Sequence, residues 1–183
     1  MSKDTALIII DAQVGLIEPA YRSSEVLDNI NTLLDKARAS HTPVIYIQHD
    51  EPQGHGLEVG TAAWNIHPAI APKEGDLVIH KRASDSFYET TLHDALESQG
   101  MKHLVVAGGQ TEYCVDTTCR RATTLGYNVT LVADAHTTDD YDEAVITAAK
   151  RIDYHNEILN GFRSDEHRIS VKPTDEIVFS NEQ

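Results

Sequence analysis

The sequence predicts an α/β fold of three layers, with helices on both faces of a mainly parallel, six-stranded sheet. Three observations lead there. Apolar strand-like runs alternate with helix-like periodic segments along the chain, the first run is apolar without alternation, and no repeat or low-complexity stretch divides the 183 residues. Strands separated by helices return parallel, so both faces of the sheet become covered. The length suits one domain, and residues 1–183 are read as a single unit.

Thr5–Ile10 is a continuous apolar run ending at Asp11, as expected of a strand buried on both faces. Ser24–Ala39 places Val26, Leu27, Ile30, Leu33, Leu34 and Ala37 at helical spacing. Pro43 introduces a second strand, Val44–Gln48, and the Gly75-Asp76 turn leads into a third, Leu77–His80. A helix over about Glu89–Gln99 ends at Gly100. His103–Ala107 is the fourth strand and runs into Gly108-Gly109, and a helix from near Glu112 ends at Gly126. Asn128–Ala133 is the fifth strand. Asp139–Asp142 are suited to cap a helix carrying Ala144, Val145, Ala148 and Ile152, and Arg168–Val171 is a weaker sixth strand. Glu51–Gly75, with three prolines and four glycines, is the longest irregular stretch, and a loop of that length usually shapes a site.

Composition narrows the partners. Fifteen basic against 29 acidic residues leave a net charge of −14, a field that repels nucleic acid and anionic membranes. With 40% hydrophobic and 24% charged residues the chain can bury a core. The 12 acids against 5 bases in the final fifty residues read as a solvated surface. Two cysteines make no disulfide framework. No apolar run approaches 18 residues and no basic–apolar leader opens the chain, so the expected location is the cytoplasm.

Open parallel sheets place chemistry beyond the carboxyl ends of their strands. Asp11, Lys81 and Cys114 all fall at such positions, offering one cleft a carboxylate, an ammonium and a thiol. Cys114 begins a helix, where unpaired N–H groups favour a thiolate. Cys119 lies about 140° further round that helix and reads as core packing. Gln13, His49, Trp64, Phe87 and Tyr113 are the candidate walls of a small-molecule pocket. His49, Asp50, His55 and His67 have metal-ligand chemistry, but their spacing matches no metal motif. Gly108-Gly109 fits neither GxGxxG nor GxxxxGK[ST], so no nucleotide cofactor is expected.

Three segments together, LIIIDAQ with Asp11, VIHKRASDSFYET with Lys81 and VVAGGQTEYCVDTTCRRATTLGY with Cys114, resemble the isochorismatase-like cysteine hydrolases. That superfamily includes nicotinamidases, N-carbamoylsarcosine amidases and streptothricin-type cyclic-amide hydrolases. The likeness covers about residues 5–136, and GTAAWNIHP looks like members acting outside nicotinamide metabolism. It implies a Rossmann-like topology, a catalytic triad of Asp11, Lys81 and Cys114, and a cis peptide joining Gly109 to Gln110. That bond would aim the main-chain N–H of Gln110, beside that of Cys114, at an oxyanion. The implied reaction is hydrolysis of a small amide or lactam through a thioester. Vinyl-ether hydrolysis of isochorismate and a nonenzymatic binding role are the alternatives on this fold. Asp50 is followed by Glu51-Pro52, so the Asp-x-His pair with which nicotinamidases hold a metal is absent and no metal site carries over. The family's habits also imply a homo-oligomer, a dimer or tetramer.

Overall fold

The computed structural model describes residues 4–141 and 144–179. Its central strand, β1 (Thr5–Ile10), is buried along its whole length, because successive side chains feed opposite layers. Ala6, Ile8 and Ile10 enter one apolar cluster, Leu7 and Ile9 the other. A run of aliphatic residues without alternation is the sequence signature of such a doubly covered strand.

The remaining strands are β2 (Val44–His49), β3 (Leu77–Lys81), β4 (His103–Gly109), β5 (Asn128–Thr137), β6 (Arg163–Ser164) and β7 (His167–Lys172), in the spatial order β3-β2-β1-β4-β5-β7-β6. The six expected strands pair in parallel; β6 adds a two-residue antiparallel edge against β7. The result is a three-layer α/β/α fold around a mostly parallel mixed sheet.

One face is covered by α3 (Leu92–Ser98) and α4 (Asp116–Thr124) through Leu92, Leu96, Cys119 and Ala122. Cys119 is fully buried there, as expected of a packing residue. The other face is covered by α1 (Val14–Ile17) and α2 (Ser23–Ala39), which contribute Ile17, Val26, Ile30, Leu33 and Leu34.

Helix starts differ from the sequence reading where local chemistry intervenes. Glu89 has φ +53°, so α3 begins only at Leu92, whose N–H donates to Thr90 Oγ1. The helix expected from Ala144 is α5 (Ala148–Leu159). Thr147 caps it through its hydroxyl, Asp140 accepts from the Ala148 N–H, and Val145 stands outside it, almost fully exposed. Asp142, also expected at this cap, lies outside the described residues.

Chain order reverses between β1 and β4, since β2 and β3 are added on one side of β1 and β4 returns on the other. The crevice beyond such a reversal is the natural site position in an open parallel sheet. Gly108 makes it tight. Its φ is +119°, and a Cβ there would lie 2.0 Å from the Ile10 carbonyl oxygen. Only glycine lets β4 approach β1 so closely beside Asp11.

Candidate active site

Three chain segments deliver the reactive groups to this crevice. Asp11 follows β1 in a left-handed conformation, φ +46°, which aspartate tolerates better than most residues. Lys81 closes β3. Cys114 lies on a π-helical turn, Thr111–Val115, which passes directly into α4. A wider turn of this kind recurs at functional sites. The sequence reading expected a regular helix start; apolar periodicity carries no sign of the wider turn. The peptide between Gly109 and Gln110, just before it, is cis, as the family resemblance implied.

The Lys81 ammonium is the centre of the cluster. Its Nζ lies 2.8 Å from Asp11 Oδ2 and 3.1 Å from Cys114 Sγ. It also donates to the Ala83 carbonyl at 2.8 Å and meets His49 Nδ1 at 3.0 Å. The side chains of Asp11 and Lys81 are wholly buried, so this is an ion pair in a low-dielectric setting. Donor atoms of Asp11, His49 and Cys114 lie within 4.8 Å of one another, a spacing that would suit a metal ion. Lys81 Nζ contacts all three, so the cationic position they surround is taken by a side chain.

Burial sets the protonation states. It raises the Asp11 carboxyl above its usual value, against the restraining pull of Lys81. The Cys114 thiol is pushed up to about 12, first by burial and then by the Asp11 charge, with Lys81 opposing. The helix start and the lysine favour a thiolate, but burial first and the Asp11 charge second outweigh them, so the resting sulfur keeps its proton. The resting site holds a thiol next to a carboxylate–ammonium pair. Burial, helped by the Lys81 charge, also lowers His49, whose Nδ1 accepts from the ammonium as a neutral ring.

The pocket candidates separate by what they touch. His49 belongs to the cluster, and Tyr113, half exposed, is the chain neighbour of Cys114. Gln13 is fully buried, and its amide is used by main chain: it donates to the His49 and Trp64 carbonyls and accepts from the His49 N–H. It ties the long loop to the end of β2. Trp64 stacks on His80 and donates from its indole to Asp50 Oδ1 at 2.7 Å. Phe87 is buried in the core and stacks on Tyr127, so its ring supports the site from within the layer. Asp50 is held by Trp64 and His80, while His67 caps the short helical turn Pro68–Ile70 and His55 is exposed, so these metal-type residues serve separate local roles.

Sequence reasoning missed His136, which is buried at the end of β5 and bonds to Thr111 of the nucleophile turn. The only available signal was a histidine among small polar residues after a strand, and that pattern is common to many turns.

The isochorismatase domain matches residues 5–160. The chain belongs to the isochorismatase family. It is 36% identical over 138 residues to a secreted isochorismatase effector of Verticillium dahliae, covering 73% of each chain. It is 33% identical over 142 residues to a streptothricin hydrolase of Streptomyces noursei, covering 76% of this chain and only 51% of that longer protein. The crystal structure of a Pseudomonas putida isochorismatase superposes with a TM-score of 0.86 at 32% identity, covering 96% of this chain and 91% of that one. For an isochorismatase-family chain, the Asp11–His49–Cys114 cluster supports hydrolase activity on a non-peptide carbon–nitrogen bond. Among the described residues no helix is long and apolar enough to cross a membrane.

Proposed function

We propose that this chain, acting as one hydrolase domain, cleaves the amide or lactam bond of a small molecule through a thioester on Cys114. The observation that carries the reading is a thiol 3.1 Å from an ammonium that also holds a buried carboxylate at 2.8 Å. Asp11 accepts the thiol proton as sulfur attacks the carbonyl carbon, so the nucleophile is generated during attack rather than stored as thiolate. Lys81 opposes the negative charge at the moment it moves from carboxylate to sulfur. The main-chain N–H groups of Gln110 and Cys114 receive the carbonyl oxygen as it becomes negative.

Collapse of the tetrahedral species expels the amine, which takes the proton from Asp11. Water then gives a proton to the same carboxylate and attacks the thioester, releasing acid and restoring the thiol. His49, Trp64 and Tyr113 are the pocket wall in this reading, with Gln13 and Phe87 as its support. The name of the streptothricin hydrolase relative favours a cyclic amide among the substrates. No cofactor enters these steps. The working form is a cytoplasmic homo-oligomer, and the net charge of −14 disfavours nucleic acid and anionic membranes as partners.

A panel of small amides, lactams and carbamoyl compounds, assayed for ammonia or primary-amine release with the native chain and Cys114→Ser, tests this reading. Amine release that disappears in the serine variant is the expected result. Pyruvate release from isochorismate without amide turnover would instead select vinyl-ether hydrolysis. Inactivity in both assays would favour a binding protein.

A further inference from the structure

A second polar chain, buried at His136 and Thr111 and half-buried at Asn156, takes no part in the steps above. It begins at Asn156 on α5, whose Nδ2 donates to the Ala133 carbonyl at 3.1 Å. Asn156 Oδ1 lies 2.9 Å from His136 Nε2, and His136 Nδ1 lies 2.8 Å from Thr111 Oγ1. His136 is 1% exposed and Thr111 is fully buried.

The direction of this chain is determined from one end. A main-chain carbonyl only accepts, which fixes the amide nitrogen of Asn156 toward Ala133 and leaves Oδ1 as an acceptor. His136 therefore carries its proton on Nε2 and presents a bare Nδ1, to which the Thr111 hydroxyl donates. Burial pushes His136 down to about 4, so the ring stays neutral near pH 7.

Thr111 opens the π-helical turn and directly follows Gln110. His136 pairs in register with Gly108 on one flank of β4, while Ile10, preceding Asp11, pairs with Gly108 on the other. The turn bearing the thiol is thus held from the side opposite the carboxylate.

We propose that His136 is a positioning residue: in the tautomer selected by Asn156 it anchors Thr111, and through Thr111 it aligns the turn that presents Cys114 and the Gln110 main chain. The inference rests on Cys114 being the attacking atom. A misplacement of about 1 Å at such a turn costs on the order of 10²-fold in rate. A packing role alone would change stability and leave the reactivity of the folded protein untouched.

Thr111→Val removes the hydroxyl with almost no change of shape, and Thr111→Ser keeps it. Three readouts are needed: kcat and KM on an amide substrate, the rate of Cys114 alkylation by iodoacetamide followed by mass, and the thermal midpoint. Thr111→Val is expected to lower kcat about 30- to 100-fold with KM within about twofold, and to slow alkylation about fivefold. Thr111→Ser restores both within about threefold. His136→Leu reproduces the valine variant, so either folded variant decides the matter.

Wild-type alkylation rates in folded Thr111→Val or His136→Leu overturn the inference. Alkylation needs no substrate, so it reads this inference even where no amide is turned over. Absence of an acyl group on Cys114 in the native chain overturns only the catalytic reading.

Discussion

Two polar clusters meet the nucleophile turn, and they are built on opposite principles. The cluster at the end of β1 holds formal charges: Asp11 and Lys81 face each other with no solvent exposure, and the Asp11 carboxylate also meets the Cys114 thiol. The cluster at the end of β5 is neutral and saturated, with each polar atom of its Thr111–His136–Asn156 links engaged. A buried charge is costly and persists where chemistry uses it. A neutral chain with one allowed direction is stiff, and stiffness is what a catalytic turn needs from its support.

The contrast is broken most directly at the sulfur. Cys114→Ser should lower amide turnover by on the order of 10³-fold or more, because the hydroxyl is a far weaker nucleophile at this carboxylate. Its thermal midpoint should stay within about 2 °C of the native value, since one atom of similar size changes. Loss of the fold in this variant would mean that the thiol is chiefly structural.

The charged cluster also carries a stability signature. Lys81→Met leaves Asp11 buried without its counter-charge and should cost about 3–5 kcal/mol in denaturant unfolding. Asp11→Asn should cost a similar amount, whereas the double variant should be less destabilised than the sum of the singles. Full additivity would show that the two groups do not interact as the 2.8 Å contact requires.

The neutral cluster responds to acid. His136 titrates near 4 when folded and near 6.5 when unfolded, so the unfolded chain binds the extra proton between those values. The His136 contribution to stability is therefore full above about pH 6.5 and falls by about 3 kcal/mol on acidification to about pH 4. His136→Leu should lack that share of the acid slope, while an unchanged slope would assign it to other groups. At the charged cluster pH acts on rate. Asp11 must be ionised to accept the thiol proton, and burial raises its carboxyl, so kcat/KM should fall on acidification at a pH above the ordinary carboxylate range. The smallest effect is expected at the rim: Tyr113→Ala should raise KM about threefold with kcat unchanged.

The same contrast marks what was legible in the sequence. Asp11, Lys81 and Cys114 stand at strand or helix ends, where a reactive residue after an apolar run is conspicuous, and their meeting follows once the sheet is parallel. The supporting cluster was invisible, because β5 was expected to end at Ala133. The polar sequence Asp134–Thr137 reads as a turn, yet a register shift carries the strand on to pair with Gly108 and Gly109. The π-helical turn and the two-residue β6 escaped for a related reason: neither is long enough to impose a hydrophobic period. Gln13 looked like a pocket residue, since a polar side chain near a strand end gives no hint that main chain will use all of it.

The central claim, that a thiol beside a carboxylate–ammonium pair forms a covalent bond to the substrate, is tested by acid-quenched mass analysis during amide turnover. The expected spectrum shows one acyl group on the peptide containing Cys114, absent in Cys114→Ser. An acyl group on any other residue, or undiminished turnover by the serine variant, would contradict it.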